Sequence, residues 1–97
     1  MRRADAIAKL RELKPLLDRH GVDRLRMFGS VARDEARDDS DLDLIADFAV
    51  GKDLLDFIAV QQDLSSALGV TVDLATANSL HPALRTQILA EAIDAFV

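Results

Sequence analysis

Three aspartates, Asp41, Asp43 and Asp73, and the pair Gly29-Ser30 are the residues of this chain whose types and spacing could do chemistry. An Asp-x-Asp pair says little by itself. The two that occur, Asp39/Asp41 and Asp41/Asp43, are no more than chance places in a chain with 14 aspartates. Placement carries the information. From Asp41 to Phe48 the sequence alternates as a strand does, so Leu42, Leu44 and Ala46 face one way and Asp41, Asp43, Ile45 and Asp47 the other. A row of carboxylates on one face is costly through like-charge repulsion unless a cation sits there. Carboxylates about 6.6 Å apart along a strand can converge on Mg²⁺, which takes oxygen ligands and keeps positions open for substrate phosphates. Two such ions lie about 3.5–4 Å apart, a span that a third carboxylate helps to bridge. Asp73, on the matching face of another expected strand, is the natural third. Gly29-Ser30 stands at a strand-to-helix junction, where glycine admits a close ligand and free N–H groups favour an anion.

The elements that must hold these residues follow from periodicity. Ile7, Leu10, Leu13 and Leu17 make Ala4 to His20 one amphipathic helix stopped by Gly21. Val22 to Phe28 reads as a strand with Leu25 and Met27 inward and Arg24 and Arg26 outward. Val31 to Ala36 is a short helix with Ser30 as its N-cap, and Arg37 to Ser40 a polar connection. Asp53 caps a helix to Leu68 whose Leu54, Phe57, Ile58, Leu64 and Leu68 point inward, with Gly69 as its stop. Val70 to Ala75 is a third strand, with Val70, Val72 and Leu74 in the core and Thr71 and Asp73 opposite. After a turn at Asn78-Ser79, Pro82 opens a last helix with the stripe Leu84, Ile88, Ala92 and Phe96. The order is α-β-α-β-α-β-α, an α/β (α+β) arrangement of a short three-stranded sheet packed with about four helices.

Ninety-seven residues with 49% hydrophobic content make one expected domain, residues 1–97. The chain has no cysteine, which excludes disulfides and thiolate metal sites. Charge runs through the first residues and no apolar run approaches the roughly 18 residues of a membrane span, so neither a signal peptide nor a membrane contact is expected and the location is cytoplasmic. The net charge of −5 argues against direct nucleic-acid binding, which needs a basic face. His20 ends a helix and His81 precedes Pro82, so the two histidines form no catalytic constellation.

Gly29-Ser30, ten residues, then Asp41-Leu42-Asp43 fits the G-S-x10-D-x-D motif, and the chain resembles the polymerase-β-like nucleotidyltransferase superfamily. The stretch FGSVARDEARDDSDLDL, Phe28 to Leu44, is similar to its smallest branch, the minimal nucleotidyltransferase (MNT) domains, and VDLAT, Val72 to Thr76, to that branch's third-carboxylate strand. The likeness runs over nearly the whole chain and implies the superfamily's short mixed sheet. One departure is Asp34, where relatives often carry glycine; aspartate tolerates a left-handed backbone better than most residues, so a small local change is expected. The resemblance implies that Gly29 and Ser30 hold a triphosphate and that Asp41 and Asp43 bind two Mg²⁺ ions. It implies that Asp73 ligates one of them and helps to activate an acceptor hydroxyl. Arg33 and Arg37 are candidates to reach phosphate. It further implies an antitoxin that transfers AMP from ATP to a tyrosine of a HEPN-domain toxin. The alternative is a non-catalytic module that neutralises a HEPN partner by contact, with Ile93, Ala95, Phe96 and Val97 as part of the interface. A structural Ca²⁺ loop is a weaker third reading, because the acids fall on strands.

Overall fold

The computed structural model describes residues 1–95. Helices α1 (Arg3–Glu12) and α2 (Lys14–Arg19) lead into β1 (Val22–Phe28). There follow α3 (Gly29–Ala32), β2 (Leu42–Phe48), α4 (Leu54–Leu68), β3 (Val72–Ala75), a 3₁₀ turn (Ala77–Ser79), α5 (Pro82–Glu91) and β4 (Ile93–Asp94). The four strands lie in the order β3-β2-β1-β4. β1 runs antiparallel to both β2 and β4, whereas β2 and β3 are parallel, with α4 as their crossover. The mixed α/β class holds, with one strand and one helix more than expected.

The extra helix arises at Pro15. One helix from Ala4 to His20 was expected; the chain instead breaks at Leu13 and restarts with Pro15 in the first turn of α2. A proline ring has no N–H and clashes with the carbonyl four residues back, so it belongs at a helix start. The expected apolar stripe survives the break: Ala6, Leu10 and Leu17 are fully buried, and Ile7 and Leu13 pack against them.

The extra strand replaces the end of the expected last helix. Ala92 is extended (φ −65°, ψ 141°), and Ile93–Asp94 pairs with Met27 and Arg26. Ala95 then donates its N–H to the Leu25 carbonyl at 2.9 Å. Pairing of this kind satisfies backbone groups along the β1 edge. The stripe expected on α5 buries no residue, Leu84 stays half exposed, and Phe96 lies outside the described residues.

The principal core lies on one face of the sheet. Leu25 and Met27 of β1, Leu42, Leu44 and Ala46 of β2, and Val72 and Leu74 of β3 meet residues of α1, α2 and α4 there. An irregularity between Val22 and Arg24 shifts the β1 register, so that Val22 and Leu25 are both buried. Val70 falls outside β3 but packs against the core. α4 contributes Val60, Leu64 and Leu68; Leu54 and Ile58, expected inward, are instead exposed. The periodic stripe is real, but its first turn overhangs the core.

Asp53 and Gly69 bound α4 as expected. The Asp53 carboxylate accepts from the N–H groups of Leu55 (3.0 Å) and Asp56 (3.2 Å), and the Asp56 carboxylate in turn accepts from the Asp53 N–H at 3.0 Å. Gly69 closes the helix in the left-handed conformation, φ 68°. Asp53→Ala should therefore cost about 1 kcal/mol. That is a fall of roughly 4–8 °C in melting temperature for a domain of this size, read by circular dichroism.

Candidate active site

The path from β1 into α3 is set by one glycine. Gly29 has φ +74°, so the chain turns sharply out of the strand and the helix begins at once. Ser30 was expected as N-cap; it lies inside the helix, Phe28 holds the cap position, and no side chain caps the start. A Cβ at Gly29 would fall onto the Asp43 carboxylate, its Oδ2 above all, with Cγ at 3.1 Å. Backbone and acid are thus in close apposition. The first N–H groups of a helix have no partner within it. Arg33, Asp34 and Glu35 then bond back to the carbonyls of Gly29, Val31 and Ser30, so α3 ends after four residues instead of reaching Ala36. Asp34 adopts the left-handed conformation, φ 60°, and its carboxylate accepts the Arg3 N–H at 3.0 Å.

Strand register brings the acids together. Asp43 and Asp73 are direct partners across the parallel β2–β3 pair, and strands so paired lie about 4.8 Å apart. Asp41 stands one residue before β2 and two before Asp43. Asp43 is half-buried, while Asp41 and Asp73 are exposed. Burial raises the Asp43 carboxyl above its usual range, and the charges of Asp73 and Asp41 raise it further; Arg33 opposes them. Among the described residues, no three acid or imidazole groups already close around a point. Like charges favour separated side chains, and the two exposed acids have room to rotate. Oxygen donors whose charges already cost one another energy are the set a hard cation favours, so the residues present fit Mg²⁺.

The expected row of acids is divided. Ile45, on the same face, is fully buried. Asp47, beyond it, faces the Arg26 guanidinium at 3.4 Å, and Arg26 is itself only 12% exposed. Asp47 therefore has a counterion and stands apart from the Asp41/Asp43 pair. Arg26 was read as merely outward; its place on β1 opposite β2 was the signal for this pairing. Arg33 lies close enough to lower the Asp43 carboxyl, yet it pairs with Glu35 (3.2 Å) and Glu91 (3.9 Å). Those two glutamates were not singled out from the sequence. A concavity of about 240 Å³ opens beside Asp41, lined by Asp38, Asp39, Ser40 and Gly69 to Thr71.

A mixed sheet that sets a Gly-Ser strand–helix turn against acids on the neighbouring strands is the frame of a polymerase-β-like nucleotidyltransferase. The model of the nucleotidyltransferase domain family matches residues 9–95. A Methanocaldococcus jannaschii protein named "putative protein adenylyltransferase" is 45% identical over 84 residues, 87% of this chain and 90% of that protein. Protein adenylyltransferase MntA of Thermococcus cleftensis is 39% identical over 80 residues, 82% of this chain and 81% of that one. A solved structure described as a "putative minimal nucleotidyltransferase" superposes with a TM-score of 0.83 at 46% identity, covering 96% of this chain and 95% of that one. A complex of tri-AMPylated Shewanella oneidensis HEPN toxin with MNT antitoxin matches at TM-score 0.66 and 22% identity, over 92% and 70% of the two chains, which speaks for the fold alone. The chain belongs to the nucleotidyltransferase family, among its minimal, MntA-like members, and is an enzyme of that kind.

Proposed function

We propose that this enzyme transfers AMP from ATP to a tyrosine hydroxyl of a HEPN-domain toxin and so acts as its antitoxin. The observation that carries the reading is the pairing of Asp43 with Asp73 in register, with Asp41 two residues ahead and the Gly29 backbone against Asp43. Asp41, Asp43 and Asp73 would hold Mg²⁺, and the N–H groups after Gly29 with the Ser30 hydroxyl would hold the triphosphate. Arg33, released from Glu35 and Glu91, would add a positive charge beside it. Mg²⁺, when bound, neutralises phosphate charge and stabilises the departing pyrophosphate. The tyrosine oxygen attacks the α-phosphorus, a new P–O bond forms, and the bond to the oxygen bridging to the β-phosphate breaks. Pyrophosphate leaves, and the hydroxyl proton passes to the Asp73 carboxylate.

A protein acceptor suits the chain's size and charge. The strands and helices account for most of the described residues, leaving little to build an acceptor pocket, and a net charge of −5 repels a nucleic-acid primer. The names of the relatives, protein adenylyltransferases, and a fold shared with MNT antitoxins in HEPN complexes support the same acceptor. Incubating chain, HEPN protein, ATP and Mg²⁺ should raise the intact mass of the HEPN protein by one or more AMP units. EDTA should prevent the shift, and Ser30→Ala should slow it about tenfold or more, the worth of one hydrogen bond to a charged oxygen. A HEPN protein silenced without any gain in mass would instead assign neutralisation by contact.

A further inference from the structure

The one-turn helix α3 has little of its own to fix its direction. Gly29, which opens it, and Asp34, just beyond it, are both left-handed, φ +74° and +60°, and a single turn is not stable in isolation. Its first three carbonyls are satisfied by the residues that follow: those of Gly29, Ser30 and Val31 accept the N–H groups of Arg33, Glu35 and Asp34. The fourth draws on another element. The Ala32 carbonyl accepts from Nη1 of Arg3 at 3.3 Å, on a side chain 29 residues earlier. The exchange is reciprocal. Arg2 holds the cap position of α1 without a side-chain cap, and the first N–H of that helix, on Arg3, donates instead to the Asp34 carboxylate at 3.0 Å. Val31 and Ala32 are buried in one cluster with Ala6 and Leu10 of α1. Two polar contacts and an apolar one thus tie the end of α3 to the start of α1.

Asp34 makes its contact at a conformational cost. A left-handed backbone is uphill for aspartate, though less so than for most residues, and glycine adopts it freely. The side chain fills no core. Asp34 is exposed and borders an open hollow of about 340 Å³ with Met1, Arg2 and Ala36. What the carboxylate gains is therefore the bond it accepts, strengthened by the positive end of α1. That bond acts on the turn. The Ser30 carbonyl accepts the N–H of Glu35, the residue after Asp34, at 2.8 Å, so a shift at Asp34 is carried back to Ser30. An anion held by main-chain N–H groups depends on their aim, because such bonds weaken steeply as they bend.

We propose that Asp34 is a positioning residue: the bond it accepts from the Arg3 N–H, with the Arg3 guanidinium on Ala32, sets the aim of the Gly29-Ser30 turn for triphosphate. The proposal rests on the reading that this turn holds the triphosphate. The readout is the affinity of the intact chain for ATP with Mg²⁺, titrated calorimetrically. Asp34→Gly deletes the bond but puts at this φ the residue that favours it. It should bind ATP about tenfold more weakly and yet melt within about 4 °C of wild type. Asp34→Asn loses the same charge but keeps an oxygen that can accept from Arg3 and a tolerance of the left-handed backbone. It should bind within about twofold of wild type. Arg3→Met keeps the main-chain N–H, deletes the donor to Ala32, and should weaken binding about threefold. Asp53→Ala is the control for stability: it uncaps α4, which begins beyond the far end of β2 from Asp43, and should melt lower but bind ATP as the wild type does. Ser30→Ala, which removes a donor from the turn itself, should weaken binding about tenfold. Equal affinity in Asp34→Gly and wild type, with Ser30→Ala weakened, overturns the positioning role alone. Equal loss in Asp34→Gly and Asp34→Asn traces the effect to charge and overturns it too. Ser30→Ala that binds as tightly as wild type overturns the triphosphate reading and the proposal with it.

Discussion

Replacing Asp41 and Asp43 together with asparagine should abolish nucleotidyl transfer, by about 10³-fold or more, while raising the melting temperature. Loss of the oxygen set that holds a charge-stabilising cation removes several kcal/mol from the transition state, at about 1.4 kcal/mol per factor of ten. The stability gain has a separate cause. Burial, Asp73 and Asp41 all raise the Asp43 carboxyl, so folding works against its charged form. Above the raised folded value the group is charged in folded and unfolded chains alike, and the folded chain bears the whole cost. As pH falls through the raised folded value, the folded chain binds the proton first and the cost fades; below the unfolded value, near 3.8, it is gone. The difference in melting temperature between variant and wild type should thus shrink as pH falls from neutral and vanish below about 3.8. Paired thermal melts across that range read it directly. A double variant that is unfolded at pH 7 would make both aspartates structural and sink the assignment.

How much of this was legible in the sequence depended on the range of the interaction involved. Period-two alternation from Asp41 to Phe48 was enough to separate acids from core, and the same reasoning put Asp73 on a matching face. Register then made Asp43 and Asp73 neighbours. Local chemistry was equally readable. Asp53 and Gly69 bound α4, and Asp34 takes the left-handed backbone that aspartate tolerates. What was hidden came from elsewhere in the chain. β4 is two residues long and exists because β1 offers an edge, which no window around Ile93 contains. The exposed start of α4 has the same helical spacing as its buried end, so periodicity cannot tell which turn overhangs. The division of the acid row needed Arg26 beside Asp47, a cross-strand pair between segments 21 residues apart. Pro15 is the exception: its signal is local and plain, yet the single helix expected from Ala4 to His20 runs straight through it.

Three glycines with nearly equal backbone angles separate the cost of conformation from the cost of the site. Gly29, Gly21 and Gly69 have φ of +74°, +75° and +68°. Alanine at any of them should pay about 1–2 kcal/mol for a left-handed backbone. At Gly69 that is the whole cost, since a Cβ meets nothing within 4 Å. At Gly21 the Cβ meets the far end of the Lys52 side chain, which can swing aside. At Gly29 it meets the Asp43 carboxylate, held by its own strand, with Cγ at 3.1 Å. Either the acid turns away or the Gly29-Ser30 turn opens, and both spoil a site that tolerates little displacement. Gly29→Ala should therefore lose about 100-fold in transfer, the scale expected of a misplacement near 1 Å. Gly21→Ala and Gly69→Ala should keep near wild-type rates and only melt earlier. A double-mutant cycle separates collision from strain. In an Asp43→Ala background the obstructing carboxylate is absent and only the Cβ at 3.3 Å remains, so Gly29→Ala should there cost little more stability than Gly69→Ala does. If Gly29→Ala costs as much with Asp43 removed as with it present, the close approach of turn and acid is not what selects glycine. If it transfers nucleotide as fast as Gly69→Ala, that approach plays no part in catalysis.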